Sequence, residues 1–224
     1  VGRNIVVADA EKNHADMVCF TFMYMWIASV CAVCLHVIFQ PFMLLWMGQE
    51  LMLSRLYVIL LCIYLYSLCM GDIRSVYVTS AGLWWEGRFR SALEAAANIL
   101  LNIVLGKYLG ISGIILATIL SILMINFIYG TTIIYRYYFK NKKLYSYYLQ
   151  HIFYASVTVI TALVVYLICN RLPDGNLIKL VIKGITAFFL SNICLLVFYH
   201  RTKRFRDAFC FVKNVVHDLK IFAL

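Results

Sequence analysis

Three ionisable residues, Asp72, Arg74 and Glu94, stand inside stretches that are otherwise apolar. A charge in hydrocarbon is costly, so such a residue faces protein or water, finds a partner, or serves function. An arginine in that setting does anion chemistry, because its planar fork grips a phosphate or carboxylate with two hydrogen bonds. Arg88 and Arg90 lie close by in sequence and add to the cationic character. Arg90, Glu94, Asn98 and Asn102 then recur every four residues. On a helix this spacing draws a polar stripe that drifts slowly round the axis. In lipid it faces the bundle interior or water. Arg74, Arg88, Arg90, Asn98 and Asn102 are therefore the candidates for lining a substrate cavity, with the two amides equally readable as glue between helices. Asp72 and Glu94 are the candidates for ion coupling or for pairing with arginine.

The elements that carry these residues follow from composition. Of the 224 residues, 64% are hydrophobic and 13% charged, and the mean hydropathy is +0.86. A soluble domain is about half apolar and a quarter charged, so the solvent for most of this chain is lipid. Two prolines and eleven glycines leave little punctuation for a β-protein. The expected fold is all-α, a polytopic membrane bundle of about six transmembrane helices. They are placed at about 17–39, 56–83, 89–109, 114–135, 152–169 and 178–199, between an N-terminal segment 1–16 and a basic tail 200–224. Gln40-Pro41 is expected to end the first, since proline removes a backbone donor. Residues 42–53, with Trp46, then read as an interfacial segment. Gly106, Gly110 and Gly113 break the chain between the third and fourth helices, and Pro173 with Asp174-Gly175 marks a later turn. Gly113, Ala117 and Ser121 form a small-xxx-small pattern suited to close helix packing. Tyr135, Tyr137, Tyr138, Tyr145, Tyr147 and Tyr148 read as an aromatic belt at one membrane edge.

Loop charge orients the bundle. The turn after the second helix carries Arg88 and Arg90 against Glu86, and the loop after the fourth carries Arg136, Lys140, Lys142 and Lys143 without an acid. The tail holds Arg201, Lys203, Arg204, Arg206, Lys213 and Lys220 against Asp207 and Asp218. With six spans all of these fall on one side, which the positive-inside rule makes cytoplasmic, together with both chain ends. The net charge of +10 is thus spent on membrane orientation and anionic lipid, and nucleic acid is not an expected partner. Cys31 and Cys34 form a C-x-x-C inside a continuous apolar helix with no second pair to complete four zinc ligands. Among the five histidines none lies mid-span, and there is no H-E-x-x-H, Walker loop or embedded Ser/His/Asp set. A protease, metalloenzyme or ATP-driven pump is therefore not expected. Nor is a cofactor, and the chain does not read as an enzyme.

The second and third helices should form an antiparallel hairpin folded near Trp84. Arg74 and Glu94 each lie ten residues from that fold (84 − 74 and 94 − 84), at similar depth, about 15 Å along the helix. An Arg74–Glu94 contact or a shared aqueous cavity is expected. Asp72, two residues from Arg74, should face elsewhere.

Three strings carry a family resemblance: PFMLLWMG from Pro41, GLWWEGRFRSALEAAAN from Gly82, and LNIVLGKYLGISGIILATILS from Leu101. Their order and spacing resemble the C-terminal half of the polysaccharide flippases in the multidrug/oligosaccharidyl-lipid/polysaccharide exporter superfamily. The matching positions are Gly87, Arg90, Asn98, Gly110-Ile111, Gly113, Thr118 and Ser121. The likeness covers roughly residues 1–135, and the last two helices match only in hydropathy. It implies one lobe of a two-lobe transporter whose missing N-terminal lobe is its partner, and the start at Val1 is then expected of a fragment. The implied function is moving an undecaprenyl-pyrophosphate-linked oligosaccharide, for O-antigen, capsule or related glycans, across the bacterial inner membrane by alternating access. Arg74 is the first choice for the pyrophosphate because it alone among the arginines lies well inside a span. A drug/cation antiporter of the same superfamily would need an acidic cavity, against the basic balance here. An integral membrane enzyme of polysaccharide assembly would need a large outer loop, and a scaffold would leave the embedded charges unexplained.

Overall fold

The computed structural model describes residues 1–2, 5, 8–140, 142–173 and 175–222, with side chains described as far as Asn214. Asp174 of the expected turn, and the side chains of Asp218 and Lys220 in the tail, lie outside the described residues. Every regular element among those described is a helix. This is what lipid requires, because a helix satisfies its own backbone hydrogen bonds.

The first helix, α1 (Ala10–Met47), is 38 residues long and about 57 Å by helical rise. It starts earlier and ends later than 17–39. Pro41 lies within it. One missing donor near a helix end costs a single backbone bond, which membrane helices tolerate. The stop comes at Gly48, whose φ of 79° only glycine adopts readily. The chain beyond makes a short 3₁₀ turn, Gln49–Leu51, so the helical part of the expected interfacial segment is an extension of α1, with Trp46 69% exposed.

Two helices, α2 (Arg55–Met70) and α3 (Asp72–Ser80), form the second arm, separated only by Gly71. A short α4 (Trp84–Gly87) turns the corner into α5 (Arg90–Ser121). From Trp84 to Tyr137 the chain is helical over 54 residues, which if straight would reach about 81 Å, far more than a hydrocarbon layer of about 30 Å. It does not run straight. Gly110, at φ 59° and ψ −136°, interrupts α5, and the two arms fold back on each other. Asn98 Nδ2 donates to Thr118 Oγ1 at 3.2 Å and Ser121 Oγ at 3.1 Å across the seam. A Cβ on Gly113 would overlap the Leu105 carbonyl, whereas one on Gly106 would meet Ile114 at 3.4 Å. Gly113, Ala117 and Ser121 are all buried, so the small-residue face is the hairpin's contact face. The return arm continues through a π-helical stretch, Ile122–Tyr129, into α6 (Gly130–Tyr137). The remaining helices are α7 (Leu144–Cys169), α8 (Leu177–Tyr199) and α9 (Lys203–Phe222). Among the described residues five helical stretches are long and apolar enough to cross a membrane, and the fold at Gly110 divides one of them into two arms, making six.

The central helix is α1, which packs against α2, α3, α7, α8 and α9. Met17, Phe22, Met25, Val33 and Val37 are its buried apolar stripe. Its N-terminal turns pack against the end of α6: Asn13 Nδ2 donates to Tyr138 Oη at 2.9 Å, His14 bonds Tyr135 Oη at 2.8 Å, and Lys142 pairs with Glu11 at 2.6 Å. The tail docks at the same end, with Phe205 against Trp26 and Arg204 donating to Tyr154 Oη at 3.1 Å. The tyrosine belt is thereby split. Tyr137 and Tyr145 are exposed, but Tyr135 and Tyr147 are core residues, 5% and 1% exposed, because the docked N-terminal turns need aromatic partners beneath them.

Gly113→Val should force the hairpin arms apart and destabilise the protein by about 2 kcal/mol or more. Gly106→Ala should cost far less. Thermal unfolding of the two detergent-solubilised variants, followed by helical ellipticity, checks the difference, and equal stabilities would refute the close approach.

Candidate anion-binding site

Arg74 lies on the first turn of α3 and is 1% exposed. Its guanidinium reaches the interior because the neighbouring backbone leaves room for it. A Cβ on Gly130 would collide with Arg74 Nη1, and a Cβ on Gly71 would come within 2.8 Å of Nη2. The two glycines, from different arms, thus form a cradle for the cation. Nη2 donates to Asn126 Oδ1 at 2.8 Å, to Ser75 Oγ at 3.0 Å and to the Gly71 carbonyl at 3.3 Å. Among the described residues Nε has no hydrogen-bond partner and no hydrogen bond engages Nη1.

The expected Arg74–Glu94 contact is not direct. Asn126 stands between them, accepting from Arg74 through its carbonyl and donating to Glu94 Oε2 at 3.2 Å through its amide. Among the described residues the one ion pair is Glu11–Lys142, so no described carboxylate lies within 4 Å of the Arg74 guanidinium. The two charges do share a depth, as the count from Trp84 implies, but a neutral amide links them. Asn126 sits within the π-helical stretch, a form that is rare and concentrates at functional sites.

Arg74 forms the inner wall of a cavity of about 170 Å³ that also includes Arg88 and Arg90, with Ser75, Thr79 and Ser91 adding hydroxyls. Leu83, Trp84 and Ile133 give it apolar walls, and no carboxylate among the described residues lines it. Arg88 is exposed and held at the rim, its guanidinium 3.9 Å above the Trp85 ring and donating to the Trp85 carbonyl at 2.9 Å. Arg90 is half-buried, and its Nη1 is enclosed without a hydrogen-bond partner among the described residues. Three guanidinium groups and three hydroxyls, with no acid among the described residues, have the chemistry to receive an anion. A volume of about 170 Å³ is below the 300 Å³ or so of a drug-sized pocket, so it suits one compact charged group rather than a whole bulky molecule.

The other candidates lie elsewhere. Asn98 and Asn102 do not line the cavity. Asn102 Nδ2 donates to Asn98 Oδ1 at 2.8 Å, and Asn98 crosses to Thr118 and Ser121, so both amides hold the hairpin seam. Asp72 is exposed on the other face of α3, where Tyr24 Oη donates to its Oδ2 at 2.7 Å. Asp72 and Glu94 are therefore on separate faces, and only Glu94 is tied to Arg74. The residues missing from the sequence reading are Asn126, Gly71, Gly130 and Ser75. Asn126 had a signal: it lies sixteen residues after Gly110 and Glu94 sixteen before (126 − 110 and 110 − 94), so the depth count about that second fold pairs them.

A double-mutant cycle on Arg74→Ala and Glu94→Ala should give a coupling of about 0.5–3 kcal/mol in thermal stability. The coupling should vanish in an Asn126→Ala background, since the amide carries it. Coupling that survives this change would mean direct interaction instead. The chain matches no known protein family, no curated protein and no solved structure.

Proposed function

We propose that the chain is one lobe of a lipid-linked oligosaccharide flippase of the polysaccharide type. In this reading it lies in the bacterial plasma membrane with both ends cytoplasmic, and it moves an undecaprenyl-pyrophosphate-linked glycan across that membrane. The carrying observation is the buried Arg74, unpaired with any described carboxylate, at the wall of a cavity shared with Arg88 and Arg90. A buried cation without a counter-charge carries a desolvation penalty of several kcal/mol. An incoming polyanion relieves it, and the arginine forks suit phosphate oxygens.

In this mechanism Arg88, at the exposed rim, meets the pyrophosphate first. Arg90 and the open Nη1 of Arg74 then receive it, while Nη2 stays tethered to Asn126. The site opens beside the Trp84 turn, on the side that carries the basic segments, which the positive-inside rule makes cytoplasmic. Substrate would thus load from the leaflet where such glycans are assembled. The sugar extends out of the cavity, in keeping with its small volume. A second lobe would complete the cavity, and rocking between lobes would expose the site to the other leaflet. Neutralising Arg74 alters the charge felt by Glu94 through Asn126. That makes Glu94, rather than the exposed Asp72, the group to couple ion movement. No ATP-binding motif contributes, so an ion or substrate gradient drives the cycle.

Arg74→Glu should abolish surface polysaccharide in a cell that depends on this gene, at unchanged protein level in the membrane. Arg74→Lys, which keeps the charge but loses the fork, should retain about a tenth of wild-type export or less. Surface glycan at the wild-type level in the Arg74→Glu strain would overturn the role.

A further inference from the structure

A file of polar side chains runs along the inward face of α7. Tyr147, His151, Tyr154, Thr158 and Thr161 follow one another at alternating intervals of four and three residues, the spacing that keeps side chains on one face of a helix. All five are buried, and His151 is 1% exposed. From Tyr147 to Thr161 (161 − 147 residues) the file covers about 21 Å of helical rise, most of a hydrocarbon layer of about 30 Å. Three buried groups on neighbouring helices border it: Thr21 beside Tyr147, and Ser29 and Tyr66 beside Thr158.

Only part of this file is hydrogen-bonded. Ser29 and Thr158 share a bond of 2.7 Å, and Tyr154 Oη accepts from Arg204 at 3.1 Å. Among the described residues, Tyr147 Oη, both ring nitrogens of His151 and the hydroxyls of Thr161, Thr21 and Tyr66 have no hydrogen-bond partner. Glue between helices would pair such groups with one another. Buried polar groups in native proteins are satisfied by protein or by ordered water, so open atoms in one row point to water as their partner. The residue types carry a second implication. A hydroxyl and a neutral imidazole each donate and accept at once, which is what the hand-over of a proton requires. No described carboxylate lies within 4 Å of His151 to hold a proton back. Its ring is surrounded by Tyr147, Phe127 and Tyr154 at 4.6, 4.7 and 5.8 Å between centroids, and the charged groups whose fields reach it are Arg204 and Arg74.

We infer that the inward face of α7 binds a row of internal waters and relays protons, with His151 as the group that passes them on. A proton arriving through water at Tyr147 binds the lone pair of one ring nitrogen. The other nitrogen releases its own proton to water at Tyr154, so the imidazole ends neutral with its tautomer exchanged. Phe127, against which the ring packs, follows Asn126 in the chain. The file therefore ends beside the amide that links Arg74 to Glu94. None of its five α7 residues lines the Arg74 cavity, and the relay stands whether or not that cavity carries a glycan lipid.

Two measurements on the detergent-purified chain test it. Hydroxyl radicals raised by X-ray pulses in heavy-oxygen water label side chains that touch water. Tyr147 and His151 should take up the label at rates within about tenfold of the exposed Tyr145, and Phe139, which is also 1% exposed, should lag far behind. Labelling of Tyr147 and His151 as slow as that of Phe139 would overturn the water row, a result that needs no variant to fold. The second measurement is NMR of isotope-labelled histidine, with the His151 ring assigned through its own backbone. Its N–H should exchange with bulk water within about a second. Tyr147→Phe should slow that exchange about tenfold or more by removing a hydroxyl from the file. Tyr148→Phe should leave it unchanged, because the Tyr148 hydroxyl is committed to the Ile128 carbonyl. A His151 N–H that persists for minutes in the unaltered chain would overturn the relay. So would exchange that is untouched in a Tyr147→Phe protein of normal helical content.

Discussion

The constraint on which the rest of the site depends is a guanidinium buried in a protein whose surroundings are apolar. Arg74 cannot shed its charge as a lysine could, so the structure has to accommodate it. It does so without a carboxylate in contact among the described residues. Room comes from Gly71 and Gly130, and polar contact comes from a neutral amide, a hydroxyl and a carbonyl, all on one nitrogen. A direct ion pair with Glu94 would satisfy the charge and close the site. The intervening Asn126 holds the arginine in place while leaving its charge available. That separates positioning from neutralisation, which an anion-binding site requires and a purely structural pair does not.

The hairpin at Gly110 makes this possible. The polar stripe on its outgoing arm divides into two parts with different work. Asn98 and Asn102 bind the two arms together with Thr118 and Ser121, close to the fold. Glu94, further from the fold, reaches Asn126 on the return arm, and Arg90 leaves the seam altogether to line the cavity. The drift of a four-residue repeat around a 3.6-residue helix explains the division. Over twelve residues the stripe turns away from the partner arm and toward open space. The same residue types at the same spacing thus change from adhesive to site as they move along one helix.

The all-helical architecture was legible because apolar length is a one-dimensional signal. The level of Arg74 and Glu94 was legible too, since a hairpin converts sequence distance into depth. Asn126 escaped because a lone asparagine in the run ILMINFIY resembles ordinary helix glue, and because depth was counted from the Trp84 fold and not also from the glycine turn. Its exact presentation was beyond any periodic reading: the π-helical register of 122–129 departs from the 3.6-residue spacing that such readings assume. The extension of α1 through Pro41 was missed for a different reason. Proline's penalty is a property of the isolated helix, and near the end of a membrane helix only one bond is at stake. The burial of Tyr135 and Tyr147 depends on where the N-terminal turns dock, a tertiary fact that local composition does not hold.

The cations at the two ends of the bundle are set differently, and the difference follows from what surrounds them. At the Arg74 end, guanidinium groups line a small cavity with hydroxyl-bearing walls, and its deepest member is pinned by a hydrogen bond to a neighbouring arm. At the other end Arg55 lies 5.4 Å from the Tyr166 ring centroid, in the lining of a cavity that also includes His36 and Tyr166. A hydrogen-bonded arginine presents a directed fork, suited to a ligand that must be held in one orientation. A stacked arginine keeps its edge free but its position shallow, suited to a group that stays at the level of the membrane surface. Both ends thus present cations, yet only at the first is the guanidinium 1% exposed within the bundle. Moving a charge from the membrane surface into the bundle is the costly step of any passage through lipid, and on the proposed reading Arg74 is placed where that cost is met.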